Sequence, residues 1–63
     1  MDIETSKMED YRNYRDAARG AKSAALLYLV EGRVGQAVEA MRDYHKASIK
    51  LAQLQLEIFE ENL

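Results

Sequence analysis

A break in the apolar pattern at Gly32 is the feature that most constrains how this 63-residue chain can fold. On both sides of the break, apolar residues recur at alternating steps of three and four, which is the spacing of one face of an α-helix. The chain contains no proline, and Gly20, Gly32 and Gly35 are its only glycines. Because most of the other residues are good helix formers, the sequence predicts an all-α fold with two helices joined by a short turn.

The first helix is predicted to span about residues 6–31 and the second about residues 34–61, with the turn at about residues 32–33. The sequence Ser6-Lys7-Met8-Glu9 has the S-x-x-E spacing of a capping box and marks the expected start of the first helix. Gly32 is expected to take the left-handed conformation that ends a helix. Since so short a connection makes neighbouring helices antiparallel, residues 1–63 are predicted to form a single helical-hairpin domain.

Each predicted helix carries an apolar face that can pack against the other. A chain of this length has a small interior, and without cysteine it cannot add a disulfide. We therefore expect a homodimer that forms a four-helix bundle, with the relative orientation of the subunits left open. The large residues expected at the dimer seam are Tyr11, Tyr14, Tyr28, Tyr44, Leu51, Leu54 and Ile58.

The second helix carries another apolar line beside the first. A two-helix hairpin covers one stripe per helix, so this line is expected to remain free for another protein chain or for further self-association. Met41, Leu56 and Phe59 are the predicted partner-binding residues, because methionine adapts to many surfaces and phenylalanine is a strong anchor. The line consists of Val34, Val38, Met41, Ala52, Leu56 and Phe59.

Four basic residues follow one side of the first helix beside Tyr11 and Tyr14, a pattern also found in nucleic-acid-binding proteins. The net charge of −2, from 9 basic and 11 acidic residues, gives no overall attraction to nucleic acid or membranes. In an antiparallel hairpin the acidic end of the second helix would also return toward Lys7, which favours charge pairing. Nucleic-acid binding is therefore the alternative prediction, and its residues are Arg12, Arg15, Arg19 and Lys22.

Catalytic and metal-binding patterns are not recognisable in this sequence. There is no cysteine, and His45 is the only histidine, so neither a metal site nor a cofactor is expected. No base stands at an identifiable spacing from the serines, and we do not expect an enzyme. The longest apolar run, Ala24 to Val30, is shorter than a membrane span, and the polar N-terminus does not resemble a signal peptide. A cytoplasmic protein is expected.

Two resemblances add to these expectations. The segment YLVEGRVGQAVEAM, residues 28–41, resembles the middle of a tetratricopeptide repeat, which implies a helix–turn–helix corner, and without a second copy no solenoid is expected. In its length, its lack of cysteine and proline, and its segment Ala24–Met41, the chain resembles small helical accessory proteins of lambdoid phages encoded in the exo–xis region. That resemblance implies a non-enzymatic regulatory protein that modulates host physiology or phage development by binding.

Overall fold

A computed structural model describes residues 3–61 of the chain, with side chains described for residues 6–61. It contains two helices of 28 residues each, α1 (Ile3–Val30) and α2 (Val34–Glu61). The helices pack against each other as an antiparallel pair, and the described part has extents of 46 × 18 × 12 Å. The predicted all-α fold is confirmed for this part of the chain, in which no strand is present.

The turn between the helices is fixed by backbone hydrogen bonds around Gly32. The Arg33 amide donates to the Tyr28 carbonyl at 2.8 Å, and the Gly32 amide donates to the Leu29 carbonyl at 3.1 Å. This pair of bonds is the Schellman arrangement, which satisfies carbonyls that the last turn of a helix leaves unpaired. Gly32 has φ of 78°, as the sequence predicts for the residue that ends α1. The Arg33 carbonyl then accepts from the Ala37 amide at 3.0 Å and begins α2.

The predicted start of the first helix is corrected by the structure. Helix α1 begins at Ile3, three residues before Ser6, so Ser6 lies within the helix and is not its N-cap. Residues 3–5 contain neither glycine nor proline, and a preceding helical turn can therefore form without a break in the backbone pattern. The other end of α1 is Val30, and residues 31–33 form the connection.

The interior between the helices consists of alanine side chains. Ala25 is 1% exposed and Ala37 is 2% exposed, and no residue larger than alanine is fully buried among those described. Alanine at the contact lets two helix backbones approach closely, but each methyl group removes little apolar area from water. The buried residues are Ala18, Ala25, Ala37, Ala40 and Ala47.

The residues predicted for the dimer seam border this alanine interior within one chain. They are half-buried, with the aromatic rings and branched side chains along the edges of the contact between α1 and α2. Their place at a helix–helix seam therefore follows from the hairpin itself, and their role in a dimer stays a prediction. The residues are Tyr11, Tyr14, Tyr28, Tyr44, Leu51, Leu54 and Ile58.

Charge pairing joins the first turns of α1 to the last turns of α2. The Lys7 ammonium donates to the Glu61 carboxylate, and it lies 3.9 Å from Glu57 Oε2. The hydrogen bond to Glu61 is the main cause that raises the pKa of Lys7 above 10.5. The expected return of the acidic end of α2 toward Lys7 is thus present. Arg15, in contrast, has its guanidinium Nε 3.5 Å from Asp16 Oδ1 on its own helix.

Candidate protein-interaction surface

Most of the large apolar side chains of this hairpin are exposed. Phe59 is 63% exposed and Leu27 is 57% exposed, although they belong to different helices. Two helices whose mutual contact is filled by alanine cannot cover side chains that project away from that contact. In the part of the chain with described side chains, the exposed large apolar residues are Met8, Leu26, Leu27, Leu29, Val30, Val34, Val38, Met41, Ile49, Leu56 and Phe59.

One broad side of the hairpin collects most of these residues. A concavity of about 200 Å³, lined by Met8, Tyr11, Gln55, Ile58 and Phe59, shows that Met8 of α1 and Phe59 of α2 lie on the same side. Residues at heptad spacing keep nearly the same side of a helix, which extends this side along both helices. We call it the apolar–basic face. From α1 it contains Met8, Arg12, Arg15, Arg19, Lys22, Leu26 and Leu29, and from α2 it contains Val34, Val38, Met41, His45, Ser48, Ala52, Gln55 and Phe59.

The apolar–basic face has three zones along its length. Next to the turn is an apolar zone, the turn cluster, formed by Leu26, Leu29, Val34, Val38 and Met41. The middle of α1 contributes a basic zone, formed by Arg12, Arg15, Arg19 and Lys22. At the far end, Met8 and Phe59 border the 200 Å³ concavity and form the terminal cluster. A protein bound to this face would have to supply apolar contacts at both ends and tolerate positive charge between them.

The opposite side of the hairpin places two carboxylates at a concavity. Its concavity of about 250 Å³ is lined by Ala21, Ala24 and Tyr28 of α1 and by residues of α2 that include Glu39 and Asp43. The apolar–basic face carries no acidic residue at its heptad positions. The net charge of −2 therefore does not indicate that the basic zone of α1 is separated from the carboxylates of the opposite concavity. Composition missed this separation, although assigning the residues of each helix to heptad positions would have revealed it.

The basic zone is more exposed than its neighbours in the seam. Arg12, Arg19 and Lys22 are exposed, whereas Arg15 is half-buried. The Nε atom of Arg15 is shielded from solvent and makes no hydrogen bond within the structure, with Asp16 as its nearby carboxylate. The four residues predicted for nucleic-acid binding do lie along one side of α1, as their spacing indicated.

The three predicted partner-binding residues are all exposed but do not form one compact patch. Met41 lies in the turn cluster and Phe59 in the terminal cluster. The two are 18 residues apart, which corresponds to about 27 Å along α2 at a rise of 1.5 Å per residue. Leu56 is seven residues from Ile49 and lies with it on the outer side of α2, beside the apolar–basic face. The structure therefore divides the predicted set between a broad face and an outer edge.

The described residues contain neither a metal-binding cluster nor a membrane-spanning helix. No group of three side chains there could hold a metal ion, and His45 instead stacks edge-on against Tyr44, with ring centroids 5.7 Å apart. Neither α1 nor α2 contains a stretch that is apolar enough over a sufficient length to cross a bilayer.

The fold and its surface provide the structural basis for a functional assignment, because relatives provide none. The resemblances to phage accessory proteins and to a tetratricopeptide corner gain no independent support from known proteins. No family model, no curated protein and no solved structure matches this chain significantly.

Proposed function

We propose that this chain is a non-enzymatic regulatory or accessory protein that acts in the cytoplasm by protein–protein interaction. Its contact residues are those of the apolar–basic face, including Met41 and Phe59, together with Leu56 at the outer edge. The resemblance to phage proteins supports a role in modulating host physiology or phage development. In this proposal the protein works by occupying the surface of another protein chain.

The observation that supports this proposal is the contrast between interior and surface. Among residues 6–61, the interior contains five alanines, while eleven large apolar side chains remain exposed. Exposed apolar patches of this kind mark protein contact sites on small soluble domains. The two concavities, of about 200 and 250 Å³, are open and smaller than typical small-molecule sites of about 300–1,000 Å³. Their shape favours contact with a protein side chain over enclosure of a ligand.

The Phe59→Ala substitution tests the proposal. A tagged chain is immobilised and exposed to a lysate of the cells in which it is expressed, and the retained proteins are identified by mass spectrometry. We expect Phe59→Ala to lose a specifically retained protein by at least tenfold, because truncation of a buried aromatic anchor costs more than about 1–2 kcal/mol in binding. Helicity measured by circular dichroism should stay unchanged, since Phe59 is exposed in the hairpin.

Leu27→Ala provides the matched control. Leu27 is 57% exposed, close to the 63% of Phe59, and it lies on α1 outside the apolar–basic face. We expect this variant to retain the same protein as the wild type. Equal retention by wild type, Phe59→Ala and Leu27→Ala would show that the apolar–basic face is not the contact surface.

A second candidate function is nucleic-acid binding through the basic zone. It is favoured by the charge separation, since Arg12, Arg19 and Lys22 are exposed on a face without acidic residues. Four phosphate contacts would give a modest affinity that falls steeply with salt. A mobility-shift assay with duplex and single-stranded DNA and RNA at about 50 and 200 mM salt separates the candidates. Absence of a shift at the lower salt concentration removes this one.

A further inference from the structure

We propose that the apolar–basic face binds a second copy of this chain, with a two-fold axis parallel to the helices and both turns at the same end. In this dimer, α1 of one copy lies against α2 of the other, and the four helices form a bundle. The inference rests on the proposed function, because it takes the same face as a protein-docking surface and identifies its occupant.

The size of the face suits a second copy. A surface 46 Å long and 18 Å wide has a projected area of roughly 830 Å², close to the ~800 Å² that each partner contributes to a stable interface. A second hairpin presents a face of the same length and width. It would also add a layer of large side chains to an interior that one chain fills only with alanine.

The register of the hairpin brings apolar zones together in this arrangement. Within one chain, Lys7 of α1 lies level with Glu57 and Glu61 of α2, and the turn brings Tyr28 level with Arg33 and the start of α2. A two-fold axis parallel to the helices preserves these heights, so each residue of α1 lies opposite the residues of the second copy's α2 that are level with it. Leu26 and Leu29 then pack against Val38 and Met41 of the second copy. At the other end, Met8 packs against Phe59 of the second copy.

Charge distinguishes this arrangement from the other face-to-face dimer. With the axis parallel to the helices, the basic zone of α1 lies opposite His45, Ser48 and Ala52 of the second copy, and the two basic zones occupy diagonally opposite edges. With the axis perpendicular to the helices, α1 packs against α1. Four basic residues from each copy, eight in all, then share one column on a face without acidic side chains. Such juxtaposition of like charges opposes association.

The proposed dimer leaves a defined apolar surface outside. Ile49 and Leu56 are both about 60% exposed and lie on the outer side of α2, away from the second copy. Met41 and Phe59 become covered. Leu56 and Ile49 therefore remain as the apolar residues that a foreign protein can contact. In the dimer, the loss of a retained protein on Phe59→Ala then follows from loss of the second copy and not from a direct contact to Phe59.

The absence of cysteine from the chain allows a direct test with single labels. Arg33→Cys places a spin label at the turn and Ser6→Cys places one near the opposite end; both native residues are exposed. Distances are measured by double electron–electron resonance, after sedimentation equilibrium has shown that each labelled variant keeps the mass of the wild-type assembly.

We expect two labels at Arg33→Cys to lie about 10–20 Å apart, the spacing of adjacent or diagonal helices in a bundle, before the length of the label is added. The same holds for two labels at Ser6→Cys. Mixed dimers carrying one label of each kind should give a distance near the 46 Å length of the hairpin.

Two results overturn the inference, and they differ in what they mean for the proposed function. The perpendicular axis predicts the reverse pattern, in which same-site labels lie far apart and mixed labels lie close together. A wild-type chain that sediments as a monomer at high micromolar concentration also refutes a second copy as the occupant. If that monomer still retains a foreign protein through Phe59, the docking function stands and only the identity of the occupant is wrong.

Discussion

Replacing Gly32 with alanine tests the corner on which the hairpin depends. Gly32 has φ of 78°, and a β-carbon added there would meet no atom within 4 Å. The cost of the substitution is therefore conformational and not a clash, about 1–2 kcal/mol for an L-residue with a β-carbon in the left-handed region. For a domain of 60–100 residues, each 1 kcal/mol shifts the Tm by about 4–8 °C. We expect Gly32→Ala to lower the Tm by roughly 4–16 °C.

The same substitution at Gly20 should have the opposite effect. Gly20 lies within α1, its φ is not positive, and a β-carbon there also meets no atom within 4 Å. Alanine is favoured over glycine in a helix interior by about 0.8–1 kcal/mol, so Gly20→Ala should raise the Tm. The assay is thermal unfolding followed by circular dichroism at one fixed protein concentration, because the proposed self-association would make the Tm depend on concentration. A Gly32→Ala variant as stable as the wild type would refute the left-handed corner.

Two further predictions concern the ion pair and the alanine interior. The pKa of Lys7 is raised above 10.5 in the folded chain. Its ion pair therefore contributes stability below the unfolded-state pKa, and this contribution is lost as pH rises through the folded-state pKa. The Tm difference between wild type and Lys7→Met should narrow above pH 10.5, and a difference independent of pH would contradict the ion pair. Ala25 is 1% exposed, so Ala25→Leu should overpack the seam and lower the free energy of unfolding, measured in urea, by about 1–3 kcal/mol. Ala17 is exposed, and Ala17→Leu should change the same free energy by less than about 0.5 kcal/mol. Equal effects at both positions would contradict the position of the seam.

The helices and the corner were predictable because their signals are local. Apolar residues at alternating steps of three and four indicate a helix on each side of Gly32. A glycine between two such patterns indicates a left-handed residue at the end of the first helix. The start of α1 was not predictable in the same way. Ser6 and Glu9 have the spacing of a capping box, yet the helix continues past them to Ile3. A capping pattern permits a helix start but does not prevent an earlier one, when the preceding residues also favour helix.

The exposure of the three predicted partner-binding residues was predictable from the sequence, and the arrangement of the surface around them was not. The exposure of Met41, Leu56 and Phe59 follows from their positions beside the apolar stripe of α2. The zones of the apolar–basic face depend on which residues of α1 lie level with which residues of α2. That register is set between helices, by the turn at Gly32 and by the pairing of Lys7 with Glu61. No local pattern within either helix determines it.

The alanine seam and the exposed leucines have one physical cause. Alanine at the contact allows the helices to approach closely, and the resulting slab has its smallest extent, 12 Å, across the two broad sides. A slab one helix thick has no third element against which side chains such as Leu29 and Val38 could pack. Larger residues in the seam would separate the helices and deepen the groove, but the broad side would stay uncovered. In the proposed dimer a second copy covers it, and the basic zone selects the orientation in which the two copies meet.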